Sequence, residues 1–329
     1  MKAICVKPDR SLEVRDVPMP TAPPADHMLI NIEACAINHG DKAFLKIPPM
    51  TAAIRAHDVW GASAVGRVVA LGKDVPTAYA GKRVAIYRSL RPTPDTIGLW
   101  CERAQVHPLC CLILPEEADP IAYSGSLVNV ITAYAFLEQA ADEGHRAVTV
   151  TAGNSATGNA LAALARKRNI PVIHLARSAS ARDELKQQHA EHILVTNEPG
   201  FDEEFGRLSQ RLSATAVFDG IGGEMVGRLA PHLPLNSTFY FYGFLGGGVP
   251  SLISTNLFMA KNLTMKRFSN FESATVKQSK RLEAALTELH GQIASPSFQT
   301  RVGEKFAFDR IEAAMQFEAV PGAKAVLIC

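Results

Sequence analysis

The segment Val148 to Ser178, VTVTAGNSATGNALAALARKRNIPVIHLARS, constrains the fold more than any other part of the chain. It reads as a β-branched strand, a turn of small residues, an alanine-rich helix from about Ser155 to Lys167, and a second apolar strand. Valine and threonine at 148–151 suit a strand buried within a parallel sheet. Ala152, Gly153, Asn154, Ser155 and Gly158 carry little bulk, so the backbone can turn tightly and come close to a ligand. Leu161 and Leu164 mark the inner side of the helix. The first N–H groups of such a helix lack intrahelical partners and sit at the positive end of its dipole, which suits the pyrophosphate of a dinucleotide. The turn departs from GxGxxG, so the reading rests on the strand–turn–helix–strand context, with a ligand-free tight turn as its alternative.

The end of the second strand bears on which dinucleotide is held. NAD sites place an acid there for the ribose 2′-hydroxyl. In PVIHLARSASARDELK no acid occurs before Asp183, whereas Arg177 and Ser178 stand at the strand end with Arg182 nearby. A guanidinium fork binds phosphate oxygens well, so the pattern points to NADP; a solvated turn arginine is the alternative. A nicotinamide-dependent oxidoreductase is therefore the leading expectation.

A chain of 329 residues suits two domains. A net charge of +2 suggests neither nucleic acid nor an acidic partner. The start, MKAICVKPDR, becomes charged too early for a signal peptide, and no uninterrupted apolar run approaches the ~18 residues of a membrane helix. The six cysteines (5, 35, 101, 110, 111, 329) show no CxxC spacing and read as scattered thiols of a reducing compartment, with cytoplasm as the expected location.

The pattern divides the chain in three. Residues 1–120 form a β-rich part, with strand-like runs at 28–34, 64–71 and 83–87, and Gly61, Gly66 and Gly72 fitting a tightly bent strand pair. Residues 121–265 alternate strand-like runs (148–152, 171–176, 192–196, 214–219, 237–242) with helix-length segments, which predicts a doubly wound parallel sheet of the α/β class. In 266–329, KQSKRLEAALTELHGQI reads as an amphipathic helix and KAVLIC as a terminal strand.

These residues together resemble the medium-chain dehydrogenase/reductase superfamily. The resemblance spans essentially the whole chain, through AINHGD (36–41), the 61–72 segment, GKRVAIY (81–87), GLWCERAQV (98–106), NVITAY (129–134), FDGIGGE (218–224) and FYGFLGG (241–247). It implies a GroES-like β-rich catalytic domain at 1–120, a Rossmann NADP-binding domain at 121–265, and a return to the catalytic domain at 266–329. The zinc alcohol dehydrogenases of that superfamily carry Cys and His where this chain has Asn38 and Ala62, an apolar residue near Val128 replaces their third ligand, and their four-Cys loop is missing. No metal site is expected, since zinc needs three or four N, S or O ligands; His39, His57 and Cys101 are the only alternative set.

The chain is more similar to the zinc-independent quinone oxidoreductase and 2-enoyl thioester reductase branches. That resemblance implies coenzyme contacts at Asn129 and Thr132, at Asn154, Ser155, Ala156 and Thr157 in the turn, at Arg177 and Ser178 by the 2′-phosphate, at Tyr242, Gly243, Phe244 and Leu245 after the fifth strand, and at residues 268–271 and Lys324. The catalytic loop tyrosine of the enoyl reductases falls at Pro48 or Pro49 here. The expected chemistry is conjugate reduction: hydride passes to an enone, enal, enoyl thioester or quinone, and a donor holds the oxyanion. Asn38 and Tyr87 are the catalytic candidates, with Tyr87 equally readable as core; Asp41 reads first as a helix cap, His39 as a structural imidazole, and Trp100 as pocket wall or core. The alternative function is an NADPH-binding structural or redox-sensing module with little turnover. The strand STFYFYG (237–243) resembles the edge through which family members form homodimers.

Overall fold

The computed structural model describes residues 1–46, 58–92, 98–318 and 322–329. Pro48, Pro49 and His57 lie outside the described residues. The chain divides into two compact units, one formed by Met1–Val130 with Ser279–Cys329, the other by Ile131–Gln278.

The first unit is built on a largely antiparallel seven-stranded sheet. Its central strand, Met28–Ala36, pairs antiparallel with Ser63–Leu71, with Arg103–Val106 and with the C-terminal strand Lys324–Ile328, which places Leu327 opposite Cys35. The 61–72 segment is one nine-residue strand, Ser63–Leu71, and not the bent strand pair expected from its glycines. Gly66 answers to close approach instead: a Cβ there would lie 2.4 Å from the Asn31 carbonyl oxygen. All six cysteines are free, and only Cys329 is exposed.

In the second unit, every strand is parallel and each of the expected runs forms one. The order is His192–Val195, Val172–Ala176, Ala147–Val150, Ala214–Asp219, Thr238–Phe241, Thr264–Arg267. Numbered along the chain within this sheet, that is 3-2-1-4-5-6, the doubly wound dinucleotide-binding order. Its switch point falls between Ala147–Val150 and Ala214–Asp219, and ligands of such sheets bind beyond the carboxyl ends of the strands there. A core of Phe201, Phe205, Val217, Leu229 and Phe239 fills one face. On the other face Phe136 stacks on Phe218 at 4.1 Å.

The sixth strand, TMKR, was not legible as one, and it moves the sheet edge. STFYFYG is an interior strand with Thr264–Arg267 alongside it, and that exposed strand is the edge. The unit limits also fall later than 121 and 265. Thr300 N–H donates to the Ala122 oxygen at 2.5 Å and Thr300 Oγ1 accepts from Gly125 N–H at 2.9 Å, which binds residues 120–130 to the first unit. Asn270 donates to Thr132 at 2.6 Å, which binds 264–278 to the second.

The helical stretch Pro120–Asp142 spans 23 residues at a mean hydropathy of 1.3, long and apolar enough by those measures to cross a membrane. Within the fold 67% of that window is buried, so most of it is already covered by protein. The sequence reading missed it because Ser124, Ser126 and Asn129 interrupt the run.

Candidate functional site

The switch point of the second unit is assembled from three loops. The strand Ala147–Val150 ends in a turn at Ala152, whose φ of 51° is left-handed. A non-glycine residue there carries roughly 1–2 kcal/mol of strain, and a turn this tight leaves no other path for the chain. Ser155 caps the helix Ala156–Lys167, its Oγ accepting from Gly158 N–H at 3.1 Å. Gly158 lies against the turn itself: a Cβ there would stand 2.0 Å from the Gly153 oxygen. A Cβ at Gly153 would meet His174 Cβ at 3.0 Å and the Leu175 oxygen at 3.1 Å. His174 is buried under this turn, and burial lowers its pKa to about 4, so it is neutral.

Asp219 braces the second loop. Its buried carboxylate accepts from Thr151 Oγ1 at 2.6 Å and from the N–H groups of Ile221 and Gly222 at 3.0 and 2.9 Å. Thr151 Oγ1 in turn accepts from Gly220 N–H at 2.8 Å. The third loop hangs on the second: Tyr242, Leu245 and Gly246 donate their N–H groups to the oxygens of Asp219, Gly220 and Ile221 at 2.9–3.0 Å. The Tyr242 ring lies over Gly220, where a Cβ would approach its hydroxyl to 2.7 Å. Burial raises the Tyr242 pKa, so the phenol stays protonated, and its hydroxyl donates to the Thr151 oxygen at 3.5 Å. Asn154, Ser155, Tyr242 and Gly243 are thus half-buried residues brought to one mouth.

Arg177 and Ser178 follow Val172–Ala176 and both are exposed. Ser178 caps Ala179–Gln187, accepting from Ala181 N–H at 3.3 Å. Among the described residues Arg177 has no carboxylate partner, whereas Arg182 is held by Glu198 at 2.7 and 2.9 Å. Arg182 is therefore occupied, and Arg177 is the available guanidinium. Thr157 is buried in the helix, and Ala156 is half-buried at its first position. Phe244 and Leu245 are exposed, while Thr132 is buried and accepts from Asn270. Phe268 is core, packed edge-on against Phe136 at 4.8 Å.

The first unit holds a separate buried polar cluster. Asn38 and Asp41 open the helix His39–Lys46: Asp41 Oδ2 accepts from Asn38 N–H at 2.8 Å and from Asn38 Nδ2 at 3.0 Å, a capping-box arrangement. Asp41 Oδ1 accepts from Ala62 N–H at 3.0 Å. The Asn38 amide is fully engaged: Nδ2 also donates to Ser63 at 2.8 Å, and Oδ1 accepts from Lys324 Nζ at 2.6 Å. Burial pushes the Asp41 pKa up against the Asn38 hydrogen bonds and the Arg88 charge. Lys324 is pushed down to about 8, with Asp41 opposing. Asn129 donates to the Gly125 oxygen at 2.6 Å. Tyr87 is buried, in register with Ser63. Trp100 is wholly buried against Gly61, a core residue and not a pocket wall. His39 is exposed, and partial desolvation of its ring with Lys42 and Lys46 lowers its pKa.

The Lys324 shift predicts a pH dependence. The folded pKa of about 8 lies below the ordinary 10.5. Between those values the unfolded chain binds more protons, so stability rises with pH across that window, by up to about 3 kcal/mol. Urea denaturation at pH 7.5 and pH 10 checks it: wild type should gain on Lys324→Met as the pH is raised, and parallel curves would remove the assignment.

Residues 24–133 match the alcohol dehydrogenase GroES-like domain family. The chain is 27% identical over 215 residues to the human synaptic vesicle membrane protein VAT-1 homolog, covering 62% of this chain and 51% of that one. It is 25% identical over 243 residues to the mitochondrial enoyl-[acyl-carrier-protein] reductase of Arabidopsis thaliana, covering 70% and 60%. The chain spans about half the length of the VAT-1 relatives it matches. Its fold superposes on the Escherichia coli quinone oxidoreductase complexed with NADPH with a TM-score of 0.75 at 16% identity, over 100% of both chains.

Residues 24–133 carry the alcohol dehydrogenase GroES-like domain, and the chain as a whole shares the fold of that quinone oxidoreductase. The GroES-like domain and the parallel-sheet domain are both present. Among its described residues no three His, Cys, Asp or Glu side chains converge on one point. Asn38 spends its amide on Ser63, Asp41 and Lys324. Two participants were missed from sequence. Asp219 stood in a quoted motif, and an acid at a strand end before a glycine-rich turn is a signal for loop bracing. Arg88 carried no signal at all, being one basic residue after a strand.

Proposed function

We propose that this chain is a zinc-independent, NADPH-dependent oxidoreductase that passes hydride to an activated alkene or a quinone. The observation that carries this reading is the cradle beyond Val150. Gly158 brings backbone where no Cβ fits, Gly153 lies in tight quarters beside it, the helix N-terminus opens beside Ser155, and Arg177, with no carboxylate partner among the described residues, follows the next strand. These features fit a phosphorylated dinucleotide. Asn154, Ser155, Ala156 and Thr157 would hold its pyrophosphate, Arg177 and Ser178 its 2′-phosphate, and Tyr242 to Leu245 its nicotinamide end, with Asn129 and Thr132 as further contacts. The bound coenzyme supplies the hydride.

In the first unit Asn38 positions Lys324, whose lowered pKa suits proton delivery near neutral pH. Asp41 fixes Asn38 and keeps the helix start in place. Tyr87 supports this strand from within the core. The similarity to a quinone oxidoreductase and an enoyl reductase supports the same acceptor classes. A homodimer through the exposed Thr264–Arg267 edge and a cytoplasmic location complete the reading. A second reading, an NADPH-binding module with little turnover, is favoured by one observation: proline stands at 48 and 49, where enoyl reductases have their loop tyrosine.

Loss of nicotinamide absorbance decides between them, measured with NADPH and a panel of enones, quinones and crotonyl thioester. The expected result is oxidation by at least one acceptor. Tight NADPH binding with no oxidation would select the module, and no binding would remove both.

A further inference from the structure

Two of the six free thiols lie against each other in the first unit. Cys35 sits on the central strand Met28–Ala36, and Cys329 follows the strand Lys324–Ile328, which runs antiparallel beside it. The register sets Leu327 opposite Cys35, and Cys329 N–H donates to the Glu33 oxygen at 3.4 Å. Residues two apart along a strand share a face, so Cys35, Leu327 and Cys329 project to one side of the sheet. Cys35 and Cys329 are diagonal neighbours across this strand pair. Their sulfurs stand 4.0 Å apart.

Both sulfurs rest on the same stretch of backbone. Cys35 Sγ donates to the Leu99 oxygen at 3.1 Å, and Cys329 Sγ to the Cys101 oxygen at 3.7 Å. With its proton directed at Leu99, the Cys35 sulfur has lone pairs left for the side where Cys329 stands. The two thiols differ in access: Cys35 is wholly buried, and Cys329 is exposed. Burial raises the Cys35 pKa far above that of an ordinary thiol, and the neighbouring Cys329 adds to the rise. Attack on an oxidant therefore falls to Cys329, with Cys35 poised behind it as the resolving thiol. Cys101 is placed differently, its own Sγ donating to the oxygens of Gly98 and Arg103 at 3.6 and 3.3 Å. An S–S bond of about 2.05 Å asks the two sulfurs to close by about 2 Å. Diagonal neighbours have Cα atoms about 7–8 Å apart, just beyond the usual span of a disulfide, so the backbone has to shift. Cys329 can supply that shift. It lies outside the strand, and its bond to Glu33 is 3.4 Å long, against 3.0 Å for Ile37 on Ala325 at the other end of the pair.

We propose that Cys35 and Cys329 form a reversible oxidation site, closed into a disulfide by hydrogen peroxide and opened again by a dithiol. The Cys329 sulfur attacks one peroxide oxygen, the O–O bond breaks, and the departing hydroxide takes the thiol proton as water. The Cys35 sulfur then attacks the sulfenic sulfur of Cys329. The S–S bond forms, the S–O bond breaks, and the hydroxyl leaves with the Cys35 proton as a second water. Two thiols are oxidised and one peroxide is reduced to two waters. The bond ties the strand that begins at Lys324 to the strand that runs on to Asn38, the two residues joined at 2.6 Å in the buried cluster. It involves no coenzyme and is independent of the hydride-transfer reading.

The test treats the reduced full chain with hydrogen peroxide under native conditions. Thiols counted after denaturation should fall by two from the six of the reduced chain, and dithiothreitol should restore all six. Peptide mapping should join the Cys35 peptide to the Cys329 peptide within one chain. Cys329→Ser changes an exposed position, so it should fold as wild type does, lose the cross-link and keep every remaining thiol. Cys35→Ala should leave Cys329 as a sulfenic acid that dimedone traps. Cys101→Ser should cross-link as wild type does. The proposal is overturned if wild type keeps all six thiols, if the bond joins two chains, or if Cys329 is found paired with Cys101 instead of Cys35. Should Cys35→Ala fail to fold, the wild-type map and Cys329→Ser still decide.

Discussion

Gly158→Ala should cost about 3 kcal/mol of stability and weaken NADPH binding by about 100-fold or more. The Cβ would enter at 2.0 Å from the Gly153 oxygen and 2.6 Å from its carbonyl carbon. Those are backbone atoms, so no side chain can swing away. The turn cannot retreat, because Gly153 N–H is bonded to the Leu175 oxygen at 2.8 Å and the other side is filled by His174. The helix cannot slide either, since Gly158 N–H is the group that Ser155 caps. The remaining response is for helix and turn to part, which opens the mouth that the pyrophosphate would occupy. Gly291→Ala is the control. Its Cβ would meet only the Glu288 oxygen, at 3.7 Å, so its effect should stay within about 0.5 kcal/mol. Urea denaturation and calorimetric titration with NADPH check both variants, and equal stability for the two would remove the close-approach argument.

The doubly wound sheet was legible because its strands are apolar runs with one cause. A parallel strand covered by helices on both faces has no polar side, so VTV, VIHLA and ATAVFD announce themselves. The edge strand TMKR obeys no such rule. It is exposed along its length, and nothing in its composition separates it from a loop. The coenzyme cradle was legible for the same local reason, since turn, cap and glycines lie within a dozen residues.

The first unit's cluster was not. Lys324 and Asn38 meet across 286 positions, because the terminal strand comes back to pair with Met28–Ala36. Ala62 and Arg88 meet through the pairing of Ser63–Leu71 with Arg83–Tyr87. A chain read residue by residue offers no means of seeing these meetings. The glycines of 61–72 show the converse: the residue type was informative, but it marked close backbone approach at Gly66 and not a bend.

Arg177→Ala should weaken NADPH binding about tenfold or more and leave NADH binding nearly unchanged. A charge-assisted hydrogen bond to phosphate is worth roughly 1.5–3 kcal/mol, or about 10–150-fold in affinity. Arg177 is exposed, so solvent screening argues for the lower end of that range. The competing possibility, a solvated turn arginine, predicts no change in either coenzyme. The geometry separates the two at the level of neighbours. Arg182 sits one helical turn away and is neutralised by Glu198, so it cannot substitute for the lost charge. Ser178 keeps its Oγ on Ala181 N–H, which preserves the loop when Arg177 is shortened. Stability should therefore be unaffected, and any change in affinity reads directly on the 2′-phosphate. Raising the ionic strength should narrow the gap between wild type and variant, because an exposed ion pair is screened within about 10 Å at 0.1 M salt. Calorimetric titrations with NADPH and NADH at two salt concentrations contain the whole test. A wild type that prefers NADH, or a variant that loses both coenzymes equally, would show that the guanidinium serves the turn and not the phosphate.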